Sequence, residues 1–166
     1  DRGSKFLGYA FPIQTEEEVK EHIETLKKLH YNARHWCYAW QLGETYESYR
    51  VNDDGEPSNS AGMPIYGQIQ SFGITNVLIL VVRTFGGVKL GVGGLITAYK
   101  TAAQMTLNSS KIIEKTIDIH YLVSFDYKNI NKIMRVSKEK NIEILDILTE
   151  DADLEDVFLK LTKKNA

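Results

Sequence analysis

The 166-residue chain reads as an α+β protein built in two α/β units. Three observations predict this. Segments of two-residue and of helical period interleave along the whole length. An apolar, largely β-branched run, Val77 to Val82, has the character of a central strand that needs cover on both sides. The composition also changes near Ser109-Ser110-Lys111: glycine and aromatic residues are frequent before it, whereas no glycine follows and Ile, Lys and Asp dominate. This predicts a first domain over residues 1–113 and a second over 114–166. No long Pro- or Gly-rich linker separates them, so the halves are expected to pack in a fixed relation.

The first half begins with a short strand, Lys5 to Pro12. Thr15-Glu16-Glu17-Glu18 then forms a capping box, with the Thr15 hydroxyl over the Glu18 N–H and Glu18 reaching back. Val19, Ile23, Leu26 and His30 fall on one helical face, with Lys27 and Lys28 in the last turn. Trp36, Tyr38, Trp40 and Leu42 alternate with Cys37, Ala39 and Gln41, which predicts a strand with a bulky face and a small face. A strand from Tyr49 to Asn52 runs into the turn Asp53-Asp54-Gly55-Glu56-Pro57. Ile65, Ile69 and Phe72 mark a short helix closed by Gly73. After the apolar run comes a loop with five glycines, and a helix is expected from Leu95 to Leu107, its Ala98, Ala102 and Ala103 allowing close packing.

The second half reads β-α-β-α: a strand at Ile117 to Phe125, a helix from about Lys128 to Lys140 with Ile130, Ile133 and Met134 inward, a strand at Ile142 to Leu148, and a helix at about Leu154 to Lys163.

Composition limits the function classes. A hydrophobic share of 43% supports a real core, and no run approaches the roughly 18 apolar residues of a membrane span. The single cysteine, Cys37, cannot form an internal disulfide, which fits a reducing cytosol. A net charge of −2 argues against a strongly basic nucleic-acid binder, and no DNA specificity is evident.

The glycine loop is the leading candidate for function. Glycines at a strand-to-helix junction permit positive φ and turn several N–H groups toward one point. A helix N-terminus adds partial positive charge. Arg83, Phe85, Gly86, Gly87, Lys89, Gly91, Gly93 and Gly94 thus form a candidate anion or RNA-backbone site. Lys89 is the better contact, because Arg83 ends a buried strand and is placed to pair with an acid such as Asp54. The loop does not match the phosphate loop of nucleotide triphosphatases. It faintly resembles that of small-molecule kinases. The same glycines also suit a tight crossover with close helix packing.

Asp53, Asp54 and Glu56 place three carboxylates in four residues. They can hold a divalent cation, form a bend, or make an acidic lip for a partner; the lip is favoured, and no metal is assigned. His35 belongs with that partner-binding group. It also shares strand parity with Cys37, so a base–thiol contact is geometrically open. A buried cysteine is more often inert packing, and no catalytic residue is assigned. Trp36, Tyr38 and Trp40 are read as core rather than as a base-stacking row. Lys128, Lys132, Arg135 and Lys138 are read as a solvated helix face.

The stretches SKFLGYAFP, ARHWCYAW, DDGEPSNSAGMPI and VVRTFGGVKLGVGGLITAY resemble the YigZ/IMPACT family, in order and without an obvious gap from residue 4 to about 107. The resemblance implies a first domain with the two-layer α/β sandwich of the second domain of ribosomal protein S-five. It implies a ferredoxin-like second domain similar to domains of elongation factor G. Eukaryotic members bind a large ribosome-associated activator of a translation-initiation kinase. Members usually carry two aromatics between the arginine and the glycine pair; here Thr84 stands first and only Phe85 remains. A ferredoxin-like domain should read βαββαβ, and one strand is missing between Thr149 and Leu154 and another after Ala166, so the expectation is either a truncated copy or a chain from which residues are omitted.

The expected function is therefore that of a non-enzymatic, cytoplasmic, translation-linked regulator, without cofactor, that binds a ribosome-associated protein or RNA. The alternatives are a small-molecule or nucleotide-phosphate binder or enzyme using the glycine loop, and a metal-assisted hydrolase at the acidic turn.

Overall fold

The computed structural model describes residues 3–117 and 119–148. The chain divides into two compact units, Asp1–Lys115 and Thr116–Ala166. In the first, strands β1 (Lys5–Pro12), β2 (His35–Leu42), β3 (Ser48–Asn52) and β4 (Val77–Thr84) form one antiparallel sheet in the order β1-β4-β2-β3. Three helices accompany it: α1 (Glu16–Leu29), α2 (Gly62–Ser71) and α3 (Gly91–Ser109).

β4 is interior, between β1 and β2, and Val77 to Arg83 are all buried. Its side chains divide by parity. Val77, Ile79 and Val81 join Cys37 and Ala39 of β2 in a core with Ile65 and Ile69 of α2 and Leu95, Tyr99, Ala103 and Leu107 of α3. Leu78, Leu80 and Val82 face the other way, toward Val19, Leu26 and Trp40. Helices therefore cover both faces, giving three layers where two were expected. The cause is the strand's own sequence: an apolar run without polar alternation has no side it can leave to water. Burying side chains of this kind stabilises by about 1.5–3 kcal/mol each.

Local signals explain the elements that frame the site. The Thr15 hydroxyl accepts from the Glu18 N–H at 3.4 Å, as the capping box requires, but Glu18 Oε2 accepts from the Gln14 N–H at 2.9 Å, one residue upstream of its expected target. The two faces of β2 separate as the alternation predicts: Cys37 and Ala39 are fully buried under α2 and α3, while Trp36, Tyr38 and Trp40 pack on the α1 side. Trp40 is buried core, and Trp36 and Tyr38 are half-buried against it.

α3 corrects the expected helix start. It opens at Gly91, four residues before Leu95. Glycine has poor helix propensity, but Leu90, Leu95 and Tyr99 are buried and hold the early turn in place.

In the second unit the described residues contain a 3-10 turn, Tyr127–Asn129, and helix α4, Ile130–Glu139. Ile130 and Ile133 are half-buried and Met134 is exposed, not inward. Among the described residues the segments 117–125 and 142–148 are not strands. Their β-branched residues have propensity, but no described strand pairs with them, and β-propensity is expressed through such pairing. The expected helix at Leu154 to Lys163 lies outside the described residues. Lys128 pairs with Asp126 at 3.0 Å and Arg135 approaches Glu139 at 3.8 Å, all well exposed, as on a solvated face.

Candidate functional site

Three segments converge beside the end of β4: the start of β2, the acidic turn after β3, and the glycine loop that leads into α3. The turn is organised by its own carboxylates. Asp53 Oδ1 accepts from the N–H groups of Ala61 (3.0 Å) and Gly62 (2.8 Å), and Oδ2 accepts from Asn59 N–H (2.8 Å). α2 begins after Ala61, which has no capping side chain, so Asp53 caps the helix from a distance. Asp54 sits at φ 43 and Gly55 at φ 84. The Asp54 N–H donates to Asn52 Oδ1 (2.6 Å), and its Oδ2 accepts from Trp36 N–H (2.7 Å). β3 pairs β2 only as far as Tyr38↔Asn52, so this carboxylate satisfies a donor beyond the ladder's end.

Glu56 points into the fold. Its side chain is 4% exposed, and Oε1 accepts from Arg83 Nη1 (2.6 Å) and from the Tyr99 hydroxyl (2.8 Å). Arg83 is buried, its guanidinium carbon 5.5 Å from the Phe6 ring and 5.7 Å from the Phe85 ring. Its Nη2 lies 3.5 Å from Ser4 Oγ, and its Nε is buried without a hydrogen-bond partner. The expected partner was Asp54. The two positive φ angles between Asp54 and Glu56 turn the chain, so that Glu56 reaches Arg83 while Asp54 turns to the β2 backbone.

The same contacts correct the acidic lip. The carboxylates of Asp53, Asp54 and Glu56 are committed to internal donors, and the outward parts of the turn are Gly55, Pro57, Ser58 and Asn59. Among the described residues no three His, Cys, Asp or Glu side chains converge as a metal site.

His35 and Cys37 do not form a dyad. His35 Nδ1 lies 2.8 Å from the Asp54 carbonyl oxygen, which can only accept, so Nδ1 carries the proton. His35 Nε2 stands 4.0 Å from Glu56 Oε1, too far for a hydrogen bond. The Cys37 thiol is within reach of the Asp53 carbonyl (3.0 Å) and Tyr99 Oη (3.2 Å), and its single proton serves one at a time. Burial pushes the Cys37 thiol well above its ordinary range, against the opposing pull of the Tyr99 hydrogen bond. Burial likewise raises Tyr99, with Cys37 adding to the effect. Neither ionises near neutral pH, so the cluster offers no nucleophile.

The loop itself divides in two. Gly86 is locked inward: a side chain there would collide with the Gly3 carbonyl carbon and the Ser4 nitrogen, and its N–H donates to Ser4 Oγ at 3.2 Å. Gly87 and Gly91 adopt φ 90 and 71, which glycine alone adopts without strain. Phe85, Val88 and Lys89 are exposed. Gly93 and Gly94 lie in the first turn of α3, where no side chain caps the helix and no acid sits. Of the expected anion-site residues, then, Phe85, Gly87, Lys89, Gly91 and Gly93 are exposed, Gly86 and Gly94 are half-buried, and Arg83 is spent on Glu56.

Sequence reasoning missed the roles of Glu56, Tyr99 and Ser4. Tyr99 carried a signal, for it stands in the i, i+4 stripe Leu95, Tyr99, Ala103, Leu107, the only polar-tipped member of a buried row. Ser4 carried none, since it meets the loop 82 residues away.

The Impact N-terminal domain family matches residues 2–107. The Bacillus subtilis (strain 168) protein described as IMPACT family member YvyE is 35% identical over 144 residues, covering 87% of this chain and 66% of that protein. Escherichia coli (strain K12) IMPACT family member YigZ is 32% identical over 132 residues, 78% of this chain and 65% of that one. A solved structure described as the crystal structure of an hypothetical protein is 28% identical, with a TM-score of 0.70 over 92% of this chain and 74% of its own. The chain spans about two thirds of the length of the two curated relatives. All four aligned stretches, including both the acidic turn and the glycine loop, fall within the matched region, and the chain belongs to the IMPACT family.

Proposed function

We propose that this chain is a non-enzymatic, cytoplasmic, translation-linked regulator that binds a ribosome-associated protein through the loop after β4. One observation carries the reading. The titratable groups around β2, the acidic turn and β4 are tied to internal partners, while the adjoining loop presents Phe85, Val88 and Lys89 to solvent. Such a site is arranged to hold a surface rather than to transform a substrate. Aromatic and aliphatic anchors with a flanking cation are what protein interfaces use. The link to translation rests on the family, whose eukaryotic members are implied to bind a ribosome-associated kinase activator. No helix among the described residues is long and apolar enough to cross a membrane.

In this reading the acidic turn is a scaffold. Glu56 fixes Arg83, Arg83 lies against the Phe85 ring, and Phe85 is thereby held on the surface. The assignment of the first domain, 1–113, to the S-five-like fold and of 114–166 to a ferredoxin-like domain belongs to the same proposal.

The test is affinity capture from a cell lysate on the full chain, with and without nuclease. The same proteins should be recovered after nuclease, and Phe85→Ala and Lys89→Ala should each reduce their recovery. Loss of all bound protein on nuclease treatment would move the reading to RNA. Indifference to both variants would remove the loop from it.

A second reading, a phosphorylated small molecule or nucleotide at the loop, is favoured by the uncapped, acid-free start of α3 beside Lys89. It requires that inorganic phosphate or a nucleotide raise the melting temperature of the parent chain and fail to do so with Lys89→Ala.

A further inference from the structure

Gly93 stands apart from the other glycines of the loop. Gly87 and Gly91 are required by positive φ, Gly86 by its contact with Gly3, and a side chain at Gly94 would press on Leu90 Cβ at 3.2 Å. Gly93 has no positive φ, is exposed, and a Cβ built on it meets nothing within 4 Å. Gly67 in α2 also has open space around it, but it is half-buried. Glycine in a helix is destabilising relative to alanine. The fold therefore bears a cost at Gly93 for which nothing inside the fold accounts. Absence of a side chain on an exposed helical turn leaves room for another backbone to come close.

The surroundings indicate the chemistry of that backbone. Val92 and Ile96, one turn apart on α3, are 52% and 38% exposed, and Phe85 and Val88 on the loop are 42% and 51% exposed. From Thr84 to Ile113 the sequence holds Lys89, Lys100 and Lys111 and no acidic residue. Four apolar side chains have nothing to offer a phosphate backbone. Together with flanking lysines they complement a segment that is both apolar and acidic.

We infer that the loop and the first two turns of α3 form a docking surface for a short acidic, apolar-bearing peptide segment of a partner protein, whose backbone passes closely over Gly93. This deepens the proposed function and rests on its placing the partner at this loop.

The experiment selects binders to the full chain from a random twelve-residue peptide display library. Enriched peptides should carry at least two Asp or Glu together with two or more large apolar residues. Their binding should fall tenfold or more with Gly93→Ala, although that variant melts at or above the parent temperature, and should be lost with the double variant Lys89→Glu, Lys100→Glu. No enrichment, enrichment of neutral or basic peptides, or undiminished binding to Gly93→Ala would overturn the inference. The two levels separate cleanly. If Phe85→Ala abolishes lysate capture while Gly93→Ala leaves peptide binding intact, only the close-approach inference falls. If Phe85→Ala and Lys89→Ala leave both measurements unchanged, the functional reading falls with it.

Discussion

Glu56→Ala tests the organisation of the site most directly. Its carboxylate neutralises Arg83 at 2.6 Å and accepts from Tyr99 at 2.8 Å, with only 4% of its side chain exposed. Removing it strands a buried guanidinium whose Nε already lacks a partner. Breaking one member of a buried ion pair costs about 3–5 kcal/mol, a large share of the roughly 5–15 kcal/mol that holds a domain folded. For a unit of this size that corresponds to a melting temperature lower by roughly 10–20 °C. Both tryptophans, Trp36 and Trp40, lie on β2, so their fluorescence in a urea titration follows this unit. Adding Arg83→Met to Glu56→Ala removes the stranded charge and should recover at least half of the loss. A single-variant cost under about 1 kcal/mol, or a double-variant cost equal to the sum of the singles, would refute the pairing as the organising interaction.

Asp53→Ala deprives two N–H groups at the start of α2 and one in the turn before it of a charged acceptor and should cost about 2 kcal/mol, read as a lower urea midpoint; an unchanged midpoint would mean that water replaces the carboxylate. Gly86→Ala drives a Cβ into the Gly3 and Ser4 backbone, so a clearly lower melting temperature is expected, whereas a tolerated alanine would show that the N-terminal segment yields. Stability should also fall in alkali. Cys37 and Tyr99, of ordinary values 9.0 and 10.0, are both raised in the fold. Their stabilising contribution is complete below about pH 9, and it is lost as pH rises further because the unfolded chain releases protons that the folded one keeps. Urea midpoints measured from neutral pH upward should decline beyond that point and decline less in Tyr99→Phe; a flat profile would count against the buried network.

What could be read from the sequence was whatever local period determines. The limits of α1, the two faces of β2 and the interior place of β4 follow from side-chain spacing, and the structure agrees. Period fails at the acidic turn. Two consecutive positive φ angles decide whether Asp54 or Glu56 meets Arg83, and no alternation rule passes through such a bend. It fails at the start of α3 as well, where the glycines read as a loop ending at Leu95 and burial of Leu90 and Leu95 carries the helix back to Gly91. In the segments 117–125 and 142–148 it identified residues fit for strands but could not supply the neighbours that make a ladder. Of the candidate site, the loop after β4 and the turn after β3 stand in the fold as the segments that the residue pattern marks. Which of their side chains face outward was not legible, because Ser4, Glu56, Arg83 and Tyr99 come from four separate places along the chain.

The pairing of β1 with β4 alone has a consequence for how the protein comes to be assembled. β1 is synthesised before β2, β3 and β4, yet every one of its sheet bonds is to β4, which ends at Thr84, and Gly8 packs against Ala102 and Thr106 of α3, later still. Until that point Phe6, Tyr9 and Phe11 have no sheet to join. Contacts of such long sequence separation are closed late and slowly. A nascent or truncated chain ending before β4 carries an unpaired aromatic strand, which invites intermolecular pairing. The contact of Ser4 with Gly86 spans 82 residues, so the outer loop takes its shape only when the segment before β1 has met the end of β4.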